Sequence, residues 1–175
     1  MENIFSVKRI TKNAIHLALL CVIGMFAVPL GDNVKVSLQL LVVFIIGLTA
    51  TSFVDALIIT GLYLGLGMFL PIYAGFRAGI SPTFGYVISF VVISFPLYFL
   101  NKLPIKNDFL RMALACFVSL IIVYIIGTLF LMLYLDLSIE KALLFSVVPY
   151  IPFDIAKIVI AVLVVSLLPK RVSSL

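Results

Sequence analysis

The chain has 175 residues, of which 65% are hydrophobic and 11% charged, and its net charge is +5. Its mean hydropathy of +1.36 exceeds what a water-soluble core of this size can bury, and apolar blocks recur along the whole length, which excludes a cleaved leader followed by a soluble domain. The basic residues fall in short clusters between those blocks, a pattern that orients membrane proteins and implies no nucleic-acid partner.

Stretches free of Asp, Glu, Lys and Arg run over 13–31, 36–54, 56–76, 78–101 and 112–135, and a sixth over 142–169 is interrupted only by Asp154 and Lys157. Each approaches or exceeds the roughly 17 to 25 residues that cross about 30 Å of hydrocarbon. The expectation is one all-α membrane domain over 1–175, with six transmembrane helices near 13–30, 36–50, 53–70, 82–100, 111–135 and 151–168. Continuous apolar runs without in/out alternation exclude a membrane β-barrel.

Helix 1 carries Ala14 and Ala18 at small-xxx-small spacing, which lets a second helix approach closely, whether from a partner or from within the bundle. His16 lies between them with no second ligand at metal-binding spacing, so no metal is expected. Cys21 and Cys116 sit in apolar blocks without disulfide or CxxC spacing and read as small hydrophobes. Gln39 opens helix 2 and reads either as an interfacial polar residue or as a ligand contact. Between helices 2 and 3 the break Thr49-Ala50-Thr51-Ser52 precedes Asp55, a carboxylate suited to the positive end of a helix dipole.

The connection 69–86 mixes Gly, Pro and aromatic residues with Arg77. It reads either as an ordinary interfacial loop or as a lid, in which Arg77 forks onto a carboxylate and Tyr73, Phe76, Phe84 and Tyr86 enclose an apolar ligand. Helix 6 enters through Pro149-Tyr150-Ile151-Pro152 and then places Asp154 and Lys157 three apart, on one helical face. Ionisable side chains in a span are expensive and usually face a cavity or pathway, so this pair marks the first candidate binding site.

Lys8, Arg9, Lys12, Lys102, Lys106, Arg111, Lys170 and Arg171 fall on one side of the six spans, against Lys35, Arg77 and Lys141 on the other. The positive-inside rule therefore places both termini in the cytoplasm, with Asp154 and Lys157 near the outer surface. No HExxH, GxSxG, phosphate-loop or Ser/His/Asp pattern is present, so catalysis is not expected. Six spans are few for a self-sufficient transporter built from repeats, so solute movement would call for partners.

Two segments carry a family resemblance. Ser81-Pro82-Thr83-Phe84-Gly85-Tyr86 resembles the motif that precedes helix 4 in the BioY family, and Pro152-x-Asp154-x-x-Lys157 resembles that family's helix 6 motif. Val36-Ser37-Leu38-Gln39-Leu40 also fits, and the resemblance spans the chain. It implies a biotin-binding S component of an energy-coupling factor transporter in a prokaryotic cell membrane, without a cofactor. Biotin would meet Asp154, Lys157, Arg77, Gln39, Tyr73, Phe84 and Tyr86. Ala14 and Ala18 would dock on a transmembrane coupling subunit that works with two cytoplasmic ATPases. An S component for another small vitamin, or a structural or channel-like membrane protein, are the alternatives.

Overall fold

The computed structural model describes residues 6–29 and 35–168. Within them lie seven helices: α1 (Val7–Met25), α2 (Gln39–Thr49), α3 (Phe53–Gly67), α4 (Phe84–Leu100), α5 (Asp108–Leu135), α6 (Ile139–Ser146) and α7 (Ile151–Leu167). An antiparallel hairpin of β1 (Ala27–Pro29) and β2 (Lys35–Ser37) joins α1 to α2, with Val28 opposite Val36.

The hairpin corrects the helical expectation at 26–29 and 36–38. Phe26 already has extended backbone and Pro29 has no amide to carry a helix onward. The chain pairs with itself, and α2 starts at Gln39 instead of 36. α1 begins at Val7, six residues before the expected 13, because its charged first turns find partners inside the protein.

Those partners sit where α2 turns into α3. Ser52 and Asp55 form a capping box, with the Ser52 hydroxyl accepting from the Asp55 amide at 3.3 Å and the Asp55 carboxylate accepting from the Ser52 amide at 3.0 Å. Arg9 reaches the same carboxylate from α1 at 2.9 Å and also donates to the Ser52 hydroxyl. Asn13 donates to Asp55 at 2.7 Å, and Lys12 donates to the Thr49 carbonyl at 2.8 Å. Asp55 thus starts a helix, as its position in the sequence suggested, and also anchors a second helix.

α2 is the axis of the molecule. Of its residues only Leu41 and Ile45 escape full burial, and it touches α1, α3, α4 and α7. Its 11 residues span only about 16 Å at 1.5 Å per residue. Gly47 lets α4 come close, since a methyl there would overlap Leu97. α5, by contrast, is 28 residues long and apolar enough to cross a bilayer. It starts at Asp108, three residues early, because Asn107 caps it by accepting from the Leu110 amide at 3.2 Å.

The sixth expected helix, 151–168, corresponds to α7, and an extra short helix precedes it. α6 and α7 meet at a 49° bend, and α6 itself was not anticipated. Pro152 sits in the first turn of α7, where its missing amide is harmless. The α4–α5 turn lies at the α2–α3 end of the bundle, where Asn101 donates to the Leu48 carbonyl at 3.1 Å. Arg9, Lys12, Lys102 and Arg111 therefore gather at one end, and Arg77 and Lys141 belong to the other. Lys170 and Arg171 lie outside the described residues.

Candidate functional site

At the end opposite the Arg9–Asp55 cluster, the helices part around a cavity of about 650 Å³, within the range of sites for small organic ligands. The hairpin and the α3–α4 connection border it, contributing Ala27, Ser37, Gly75 and Arg77.

Asp154 and Lys157 line the cavity from the first turns of α7. Lys157 Nζ donates to Asp154 Oδ1 at 2.7 Å, and the two residues are 7% and 4% exposed. Burial that deep demands mutual compensation, and the i,i+3 spacing supplies it within one helix. The second carboxylate oxygen is engaged from α5, where the Tyr124 hydroxyl donates to Asp154 Oδ2 at 2.7 Å.

Tyr86 lines the neighbouring wall from α4, and its hydroxyl donates to the Ser146 carbonyl at 3.2 Å. Its ring packs closely against Gly127 of α5, where any added methyl would overlap it. The Ser146 hydroxyl donates to the Ala142 carbonyl at 2.7 Å and is 3.3 Å from that of Thr128. The α6–α7 break is thereby tied to both α4 and α5, which fixes Tyr150 and Ser146 on the cavity wall.

Gln39 also faces the cavity. Its amide donates to the Tyr63 hydroxyl, which donates in turn to the Ile72 carbonyl at 2.9 Å, linking α2 to the α3–α4 connection. In that connection Tyr73 and Arg77 exchange backbone hydrogen bonds of 3.0 and 3.2 Å across a tight turn. Gly75 and Phe76 take positive φ of 76° and 57° to close it. The Gly75 amide donates to the Met25 carbonyl at 2.9 Å, pinning the turn to the end of α1. Arg77 is consequently held at the cavity by backbone, and its side chain is exposed with no carboxylate partner among the described residues.

Five of the seven residues expected at a ligand site line one cavity: Gln39, Arg77, Tyr86, Asp154 and Lys157. Tyr73 and Phe84 do not. Tyr73 is buried behind the wall, donating to the Leu64 carbonyl at 2.6 Å and packing edge-on to Tyr63. Phe84 sits between Tyr73 and Phe130, with ring centroids at 6.2 and 5.9 Å in tilted and edge-on contacts. Both hold the connection in place instead of facing the cavity. Phe76 points outward against Phe26 at 5.9 Å.

Tyr124, Ser37, Phe90, Ser146 and Tyr150 line the cavity and were not anticipated. Tyr124 had one signal, a hydroxyl alone inside the run 121–126 of apolar residues. A strip of Leu131, Leu135, Leu137 and Phe145 gives the cavity an apolar flank. Midway along α1, Ala14 and Ala18 are both exposed, so they present a small-residue surface outward and do not pack inside this bundle.

The BioY family model matches residues 1–174. The chain is similar to a biotin transporter BioY of Thermotoga maritima, at 29% identity over 167 residues covering 93% of this chain and 96% of that protein. It is also similar to a probable biotin transporter BioY of Pyrococcus horikoshii, at 30% identity over 162 residues covering 90% and 93% of the two chains. Among solved structures it resembles the S-component for biotin from an ECF-type ABC transporter. That match has a TM-score of 0.82 at 25% identity, covering 94% of this chain and 92% of the other.

Proposed function

The chain belongs to the BioY family, and on that premise we propose that it is the membrane-embedded S component through which a prokaryotic cell takes up biotin. It transports its ligand without transforming it, and biotin is cargo. The observation that carries this reading is the buried Asp154–Lys157 pair on the wall of a cavity large enough for the vitamin.

The chemistry is complementary. Biotin's cyclic urea presents an N–H and a carbonyl side by side on one edge. An ionised Asp154 accepts from that N–H while Lys157 donates to the carbonyl. Tyr86, Phe90 and the leucine-lined flank enclose the ring and chain, and Arg77 at the exposed margin takes the terminal carboxylate. Before biotin arrives the acid and base neutralise each other, which makes an empty site tolerable in the bilayer.

In this reading α1 to α5 and the broken α6–α7 element make six crossings, with both termini cytoplasmic and the cavity facing outward. The clustering of Arg9, Lys12, Lys102 and Arg111 at the opposite end supports that orientation. Ala14 and Ala18 dock on a transmembrane coupling subunit driven by two ATPases, and their exposure supports the role.

The test is equilibrium binding of labelled biotin, against a panel of other vitamins, to the purified protein and to Asp154→Asn and Lys157→Ala. The reading expects saturable, biotin-selective binding by the parent and large losses in both variants. Equal binding by all three proteins would remove the site, and preference for another vitamin would redirect the substrate.

A further inference from the structure

We infer that Tyr124 is a positioning residue of the ligand site, one that dictates which lone pair of Asp154 meets the ligand and hence which of two similar N–H groups is read. The inference rests on the proposed binding of biotin and deepens it.

A carboxylate offers about four acceptor directions, two on each oxygen. In this site two are already occupied, one on Oδ1 by Lys157 Nζ and one on Oδ2 by the Tyr124 hydroxyl, each at 2.7 Å. Lys157 is on the same helix as Asp154 and moves with it. Tyr124 is not, since it comes from α5, 30 residues away in sequence. Among the described residues, only Tyr124 therefore ties the carboxylate's rotation to a second wall of the cavity. The Asp154 side chain is 6% exposed, so a donor lost from it is replaced less readily than at a solvated carboxylate.

The tyrosine also fixes the role of its partner. A phenol that donates to Oδ2 needs an acceptor there, which keeps Asp154 a pure acceptor and selects ligands that bring a donor. The two urea nitrogens of biotin are distinguished only by the chain and ring beside them. A carboxylate free to swing accepts from either. One clamped between α5 and α7 favours the ring orientation that aligns N–H and carbonyl with Asp154 and Lys157.

The experiment compares the parent with Tyr124→Phe, using biotin and its two analogues methylated on one or the other urea nitrogen. Tyr134→Phe serves as the control, since Tyr134 is on the same helix, stacked on Phe130 and away from the cavity. Melting midpoints establish that each variant is folded. The parent should bind the two analogues unequally. Tyr124→Phe should lose roughly tenfold to a hundredfold in biotin affinity, the effect of one charge-assisted hydrogen bond, and the inequality between analogues should collapse. Tyr134→Phe should change neither.

A Tyr124→Phe protein that binds biotin as the parent does overturns the inference. So does one that weakens biotin and both analogues by a common factor, because that is the signature of a merely structural hydroxyl. If the parent itself fails to bind biotin, the functional reading falls and takes this inference with it.

Discussion

Asp154 and Lys157 are joined at 2.7 Å within a single helical turn while both are almost fully buried. Each is the reason the other is tolerated. Breaking a buried pair by removing one partner typically destabilises by about 3 to 5 kcal/mol, whereas replacing both with apolar residues is often neutral or better. Lys157→Met should therefore melt well below the parent, and Asp154→Leu combined with Lys157→Met should recover most of the loss. Both variants should fail to bind biotin. A double variant less stable than either single one would show that the charges do not compensate each other.

Arg77 is held at the cavity margin by backbone and is exposed, so its contribution should be screened by salt. Arg77→Gln is expected to lower biotin affinity by roughly fivefold to thirtyfold in low salt, as befits a charged contact. Biotin methyl ester should bind parent and variant alike. Titrations at two ionic strengths decide the matter, and an equal loss for acid and ester would place the carboxylate elsewhere.

Close packing of Tyr86 on Gly127 makes that glycine a sensitive position. Gly127→Val should displace the tyrosine ring, destabilise by about 1 to 3 kcal/mol through overpacking, and weaken biotin binding. Gly61 offers the contrast, because nothing lies within 4 Å of a methyl added there. Gly61→Ala should stabilise the helix by up to about 1 kcal/mol and leave affinity unchanged. Thermal melting and binding on the same preparations separate the two.

At the other end of the bundle, Asp55→Ala removes the shared acceptor of Arg9, Asn13 and the Ser52 amide. The expected result is a loss of about 3 kcal/mol or more with biotin affinity held within twofold, since the cavity lies at the opposite end. Concurrent loss of affinity in folded protein would reveal coupling between the two ends.

The exposed alanines allow the proposed docking surface to be tested. Ala14→Trp and Ala18→Trp should bind biotin normally and abolish ATP-driven uptake in cells, because a bulky ring prevents the close helix approach that small residues allow. Normal uptake would move the docking surface off α1.

The sequence made some of this legible. Asp154, Lys157, Gln39 and Arg77 were conspicuous because polar groups are scarce among apolar blocks, and their gathering at one level followed from counting charge-free stretches. Tyr73 and Phe84 were assigned to the ligand because aromatic type does not reveal which side of a wall a ring faces; their neighbours Tyr63, Gly67 and Phe130 settle that. Tyr124 was missed for a related reason, as its partner is 30 residues away and no local spacing encodes it. The hairpin and α6 escaped because hydropathy registers apolar content without registering where backbone pairing changes. The early start of α1 was hidden by its charges, which look like a solvated terminus until Asp55 is seen beneath them.

That buried anchor also imposes an order on biosynthesis. Arg9 precedes Asp55 by 46 residues, an interval of roughly 2 to 9 s at about 5 to 20 residues per second. Throughout that interval the first turns of α1 have no Asp55 carboxylate to close on. The Arg9–Asp55 contact is therefore a late event for the earliest part of the chain, and it closes only once the α2–α3 corner has formed.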